Sequence, residues 1–216
     1  MLYANNLNEN NKILAKPKLV GYCPSCKAKL IPKCGEINVW HWSHKGLVNC
    51  DSWYECESSW HLGWKKLVKP NNCEVQIKKE YYENDFDSYK TCKTHIADIV
   101  GKNKVVIELQ NSPISVDDIR KRELFYKKMF WIFNAENFKK NIDFRYKKDY
   151  VTFRWKHPRK SMFHIKCPMY WDFNDDTLFL VSNVYNHIPC GGWGKFIKKE
   201  DFIKKFLEVD NGQRIN

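Results

Sequence analysis

The chain has no long hydrophobic run. Its apolar stretches, such as Met129 to Phe133, fall far short of the roughly 20 residues that a bilayer-crossing helix needs, so no membrane-spanning helix is expected. The opening MLYANNLNENNK lacks a charged segment followed by an apolar one, and a soluble, cytoplasmic, non-secreted chain is the expectation. Repeats, low-complexity tracts and Gly/Ser linkers are also missing, which argues against a solenoid or tethered modules. Acidic charge is scarce, with 25 Asp and Glu against 37 Lys and Arg and a net charge of +12. That imbalance favours a polyanionic partner without bearing on the fold.

What is present in quantity is aromatic and thiol side chains: nine Trp and nine Cys in 216 residues, enough chain to bury a sizeable core. In a reducing compartment clustered cysteines bind metal more often than they form disulfides. Pattern shifts divide the chain into three zones. Residues 1–55 are short apolar pieces broken by Pro, Gly and Cys, expected as small hairpins tied by a metal rather than by a core of their own. Residues 56–134 are strongly periodic. Trp60, Trp64, Leu67 and Val68 recur at helical spacing before Pro70, and CEVQIKKEYY alternates as a strand. THIADIV and KVVIELQNS then read as two strands around a turn at Gly101, Lys102 and Asn103. Ser115 with Asp118 caps a helix whose Val116, Ile119, Tyr126 and Phe130 share a face, and MFWIFN follows as a buried strand. The order is α-β-β-β-α-β. Residues 135–216 are expected to be β-rich, with two strands around Lys147–Asp149, a hairpin turning at Asn174–Asp176, and KKEDFIKKFLEV as a closing helix.

Cys23 and Cys26 form a CxxC pair, and His41, His44 and Cys50 lie beyond it. Structural Zn²⁺ wants four thiolate or imidazole ligands in a tetrahedron, and a CxxC knuckle facing a second loop of donors supplies them. Cys23, Cys26, His44 and Cys50 are the preferred set, with His41 able to replace one of the last two. The competing reading is a turn between two small buried cysteines. Such a zinc would be structural, since a full protein shell leaves no open position. Cys34, Cys56, Cys73, Cys92, Cys167 and Cys190 offer no second CxxC and are assigned no chemistry.

Acidic residues inside apolar patterns form a second constellation. Glu57, His61 and Lys65 are spaced i, i+4, i+8 on the first helix, a stripe that a solvated face would also explain. With a three-residue loop at 101–103, Asp98, Glu108 and Gln110 share one sheet face; a four-residue loop would turn Asp98 away. Burial of Asp98 and Glu108 is costly without a cation, and with Glu57 they would make an oxygen-rich site suited to Mg²⁺ or Mn²⁺. An exposed polar face is the alternative. His61 and His95 could touch phosphate or simply pack; Arg120 and Arg122 are expected to face solvent or phosphate.

Across CPSC, HWSHKGLVNCDSWYECESSWHLGWK, HIADIV, VVIELQNSPIS and IRKRELFYKKMFWIFN the chain resembles the competence protein CoiA-like family, whose core is similar to the PD-(D/E)xK nuclease superfamily. The likeness is close over about residues 20 to 135 and looser at RWKHPRK and CGGWGKFIKKEDF. It implies an α/β, restriction-endonuclease-like αβββαβ core between a zinc-stapled β module and a basic β-rich tail. It also implies metal-dependent hydrolysis of DNA phosphodiesters, with Asp98 and Glu108 as the strand carboxylates and Glu57 as the helix acid. The lysine usual two residues after the second carboxylate is Gln110 here, an amide that can orient water but cannot take its proton. Lys65 is the candidate replacement, and a non-catalytic nucleic-acid-binding protein with a degenerate pocket is the alternative.

Positive charge concentrates in the last zone. Residues 139–166 hold ten Lys and Arg against Asp143 and Asp149, giving +8 of the total +12. Lys147, Lys148, Arg154, Lys156, Arg159 and Lys160 are the candidate phosphate contacts. The Phe, Tyr and Trp side chains between them are candidates to stack on unpaired bases. Lysines guarding an edge strand would give the same pattern.

Overall fold

The computed structural model describes residues 1–6, 11–36, 39–46, 50, 53, 57–82 and 90–209; Cys56, and the side chain of Cys92, lie outside what is described. Two compact units divide the chain, Met1–Ile99 and Val100–Asn216.

The first unit opens with five short antiparallel strands: β1 (Tyr3–Asn5), β2 (Lys12–Leu14), β3 (Gly21–Tyr22), β4 (Lys29–Lys33) and β5 (His41–His44). Their order across the sheet is β2-β1-β3-β4-β5. Contrary to the sequence expectation, this sheet has an apolar centre of its own, built on Met1, Ala4, Ala15, Cys23, Leu30 and Trp42. Trp42 is fully buried and its indole N–H donates to the Ile13 carbonyl at 3.0 Å, so its one polar atom is satisfied. Helix α1 (Ser59–Lys66) follows, capped by Ser58. Strands β6 (Cys73–Tyr82) and β7 (Lys90–Val100) pair antiparallel, with Cys73 opposite Ile99 and Val75 opposite Ala97.

The second unit contains β8 (Val106–Gln110), α2 (Val116–Tyr126), β9 (Met129–Asn134), β10 (Ile142–Tyr146), β11 (Val151–Trp155), β12 (Met169–Asp172), β13 (Thr177–Tyr185), β14 (Gly191–Lys198) and α3 (Lys199–Phe206). Its strands lie in the order β10-β11-β14-β13-β12-β9-β8. β9 runs parallel to both β8 and β12, and the crossover from β8 to β9 is α2. All five residues of β8 are buried, as a strand covered on both faces requires.

Two local readings need correction. The loop before β8 is five residues, Gly101 to Val105, closed by the Gly101 N–H donating to the Val105 carbonyl at 2.8 Å. It is not the three-residue turn suggested by Gly101, Lys102 and Asn103: Asn103 and Lys104 both adopt left-handed backbone, with φ of 55° and 58°, and Lys104 is lost from the strand. Strand β14 was not among the expected elements, its sequence opening on the glycine-rich GGWG. A Cβ at Gly194 would strike the Leu180 carbonyl and come within 2.8 Å of the Phe179 ring, so glycine is what lets β14 approach β13 and the aromatic core.

That core is dominated by rings. Trp155 and Trp171 meet edge to face at 5.1 Å, and Phe153 and Phe138 abut Trp171 at 4.9 and 5.5 Å. Edge-to-face pairs contribute roughly 0.5–1.5 kcal/mol each beyond area burial, so disturbing their packing is costly. Gly194→Val is expected to lower the stability of the second unit by about 1–3 kcal/mol, read as a reduced denaturant midpoint.

Candidate functional site

Cys23 and Cys26 sit on a tight knuckle in which the Cys23 N–H donates to the Ala28 carbonyl at 2.9 Å and Lys27 takes a left-handed φ of 62°. His44 arrives from the end of β5, and Cys50 from the segment beyond it. The ligand atoms of Cys23, Cys26, His44 and Cys50 all lie within 4.8 Å of one another. Cys23 Sγ is 3.5 Å from Cys50 Sγ, and Cys26 Sγ is 3.3 Å from His44 Nε2. A zinc tetrahedron with Zn–S near 2.3 Å has edges of roughly 3.5–3.8 Å, so this Cys3His group could hold zinc with little rearrangement. His41 is not part of it: its Nδ1 lies 2.7 Å from the Val39 carbonyl. Burial pushes the Cys23 thiol up to about 12 and raises Cys50, whereas for Cys26 burial is outweighed by hydrogen bonds from the Ala28 N–H, Cys50 and Cys23 together, and its pKa is lowered. Thiols held this far from ionisation need a cation to become thiolates. Loss of the metal, by chelation or by Cys23→Ser, is expected to unfold the first five strands. Zinc analysis of the purified protein should return one equivalent.

The second cluster lies in the same unit. Lys65 stands in the last turn of α1, only 2% exposed, and is surrounded by carboxylates. Its Nζ is 2.6 Å from Glu57 Oε1, 3.1 Å from Glu74 Oε1 and 3.1 Å from Asp98 Oδ1. The solvated polar stripe is therefore overturned for Lys65, which is a buried hub. Glu57 is also not on the helix: α1 begins at Ser59, and Glu57 precedes the cap residue. His61 is engaged in that cap, its backbone N–H donating to Ser58 Oγ at 3.3 Å while its Nδ1 receives the Ser58 N–H at 3.3 Å. A buried histidine occupied in this way serves the helix start. His95 stacks on Trp53 with ring centroids 3.3 Å apart.

Glu74 was not anticipated. It takes a left-handed φ of 48° in an otherwise regular strand, and the β6/β7 register sets it opposite Asp98. Both of its oxygens accept backbone protons, Oε1 from Leu2 at 2.7 Å and Oε2 from Tyr3 at 2.9 Å. Burial opposes its ionisation, yet Lys65 and these N–H groups hold its pKa down to about 2. Burial raises Glu57 despite the nearby ammonium, and among the described residues Glu57 Oε2 is buried with no hydrogen-bond partner. Lys65 itself is driven well above its ordinary range: burial acts against its charge, but Asp98, Glu74 and Glu57 outweigh it. Three carboxylates thus meet the Lys65 ammonium, with the terminal amine 3.9 Å from Glu57 and the Lys12 ammonium beside Glu74, its Nζ 3.1 Å from the Glu74 carbonyl oxygen. An oxygen-only donor set with a buried carboxylate oxygen that lacks a hydrogen-bond partner among the described residues fits Mg²⁺ or Mn²⁺.

In the second unit Glu108 is 2% exposed and Arg122 Nη1 is 2.8 Å from its Oε2. Arg122 is therefore buried and paired rather than facing solvent. Helical spacing carried the signal, because Arg122 falls three residues after Ile119 and four before Tyr126 on the buried face of α2. Gln110 Nε2 donates to the Ser112 carbonyl at 3.0 Å.

Of the basic candidates, Lys147, Lys148, Arg154, Lys156 and Lys160 are exposed. Arg159 is half-buried with its guanidinium 4.8 Å from the Phe138 ring. Phe153 and Trp155, expected to stack on bases, are core residues, because alternation along β11 turns Thr152 and Arg154 outward instead.

Lys65→Met removes the ammonium that meets all three acids of the cluster. It is expected to destabilise the first unit by about 3–5 kcal/mol, as stranded buried charges do. Because the Glu74 pKa is depressed, the stability it contributes is present above its ordinary 4.5 and lost as pH falls from there toward about 2. Glu74→Gln should flatten that part of an acid-unfolding curve.

The family model for the N-terminal domain of competence protein CoiA matches residues 7–52, and the model for its nuclease-like domain matches residues 57–189. No curated protein and no solved structure matches the chain. With the nuclease-like model alone covering more than half of its length, the chain belongs to the competence protein CoiA family.

Proposed function

We propose that the protein is a metal-dependent deoxyribonuclease that hydrolyses DNA phosphodiesters in competence, recombination or phage and defence biology. The observation that carries the reading is the cluster of Glu57, Glu74 and the half-buried Asp98 about the buried Lys65, inside the nuclease-like family match. Glu57 and Glu74 have buried carboxylates and Asp98 is half-buried, a costly grouping for which a metal site would be a reason. Glu57 and Asp98 would hold the ion, with Glu74, fixed by two backbone N–H groups, keeping Lys65 in place. A bound Mg²⁺ or Mn²⁺ would supply charge neutralisation at the phosphate and a water of lowered pKa.

Lys65 takes the part of the lysine absent at Gln110, as a fixed positive charge near the phosphate. Its raised pKa makes it unfit as a general base, so proton removal would fall to a carboxylate or to metal-activated water. Glu108 is retained from the family likeness as a residue on which cleavage depends; its pairing with Arg122 fixes its position. We keep a three-part functional division: a zinc module over 1–55, the nuclease-like core over 56–134, and a basic region over 135–216. In that region Lys147, Lys148, Arg154, Lys156 and Lys160 would contact phosphates. A restriction-endonuclease-like core is the fold that this reading entails.

A second reading, a zinc-containing DNA-binding protein without catalysis, is favoured by the fact that protein cations already meet the acids, Lys65 at Asp98 and Arg122 at Glu108. Incubating the protein with plasmid, duplex and single-stranded DNA in Mg²⁺ or Mn²⁺ separates the two. Cleavage that falls by roughly 10²-fold or more in both Asp98→Asn and Glu108→Gln supports hydrolysis at these residues. DNA binding without metal-dependent cleavage in the wild type supports the second reading, and undiminished cleavage by Asp98→Asn removes the assignment.

A further inference from the structure

β10, β11, β14 and β13 lie side by side in the second unit. Their inward residues, among them Phe153, Trp155 and Phe179, form the aromatic core. The outward face is fixed by register. One row runs Arg145, Thr152, Trp193, Asn183, because Arg145 pairs with Thr152, Thr152 with Trp193 and Trp193 with Asn183. The next row runs Asp143, Arg154, Gly191, Tyr185. Tyr150 precedes β11 by one residue, and its carbonyl accepts a hydrogen bond from the Lys147 N–H at 2.9 Å.

Three aromatic side chains thereby gather on an exposed sheet face. Trp193 is 38% exposed, Tyr150 44% and Tyr185 37%. Tyr150 and Trp193 meet edge to face at 6.0 Å, and Tyr185 stacks on His187 at 5.4 Å. With Thr152 they line an open cavity of about 330 Å³. That is near the lower end of ligand-sized clefts, roughly 300–1,000 Å³. Large rings kept in water cost stability that burial would have gained, and no apolar core demands them on this side of the sheet.

We infer that Trp193, Tyr150 and Tyr185 form a base-stacking site for single-stranded DNA. The inference rests on the reading of DNA as the substrate and adds its strandedness. Charge selects the occupant: Arg145 and Arg154 project from the same face as the rings, and Lys147 and Lys195 are exposed beside them, with Asp143 the opposing acid of these rows and itself 3.5 Å from Lys156. Cations spaced around a ring-lined cavity match a polyanionic backbone whose bases are free to turn inward. A duplex keeps its bases stacked on one another and could use the cations alone.

Equilibrium binding of labelled oligo(dT) and of a hairpin-free duplex of equal length, titrated across salt concentrations without divalent metal, tests the site. Stacking is worth about 1–3 kcal/mol per base, so Trp193→Ala should weaken oligo(dT) binding by about 5- to 150-fold while leaving duplex affinity within twofold. The slope of log affinity against log salt should not change, since no phosphate contact is lost. Trp193→Phe should stay within about threefold of wild type, which separates stacking from damage to the strand. Lys147→Ala with Lys195→Ala should weaken both substrates and flatten the single-strand slope by about 0.7 per lost contact. Wild-type binding of DNA with oligo(dT) affinity unaltered by Trp193→Ala, or lowered equally for both substrates, overturns the stacking site and leaves the nuclease reading standing. Failure of the wild type to bind either DNA overturns both.

Discussion

The Lys65 ammonium, enclosed by Glu57, Glu74 and Asp98, is the interaction on which the nuclease-like part of the first unit is built. It ties together three separate pieces of chain: the segment before α1, the start of β6 and the end of β7. None of the four could be buried alone, because an isolated charge in a low-dielectric interior is expensive and the group would neutralise instead. Together they oblige α1 to keep its last turn against the β6/β7 pair, since any slide of the helix would part the ammonium from at least one oxygen. The positive φ of Glu74 is a strained backbone feature maintained by that requirement.

A cluster of acids gathered about a buried ammonium is also a chemical statement. A site that receives a cation keeps an oxygen without a partner, as Glu57 Oε2 does here among the described residues. The Cys3His group differs in kind: it closes on itself within a small sheet, and a zinc held there would support folding rather than chemistry.

Much of this was legible in the residues. The helix, three strands, helix and strand from α1 to β9 follow from periodicity, and the four zinc donors from CxxC spacing. Asp98 and Glu108 stood out as acids within apolar runs. What escaped notice has physical reasons. Glu74 sits beside Cys73 at a strand start, where an acid usually meets solvent, and nothing local reveals that Leu2 and Tyr3 reach it from some 71–72 residues away. Arg122 was assigned by charge when its phase on α2 should have decided. β14 was hidden by glycines whose purpose, close approach to a neighbouring strand, exists only in three dimensions. The aromatic-basic segment misled in the opposite sense: its Phe153 and Trp155 face the core, and the rings left in solvent include two from strands far along the chain.

The clamp of Leu2 and Tyr3 on Glu74 has a consequence for how the chain comes into being. At about 5–20 residues per second, a ribosome makes the first strand roughly 4–14 s before it makes the carboxylate that satisfies it. During that interval two amide protons at the start of the first strand have no partner but water. Nascent chains paused short of β6 would therefore carry an unfinished sheet, which makes the passage of Glu74 and Asp98 out of the exit tunnel the moment at which the first unit can commit to its native topology.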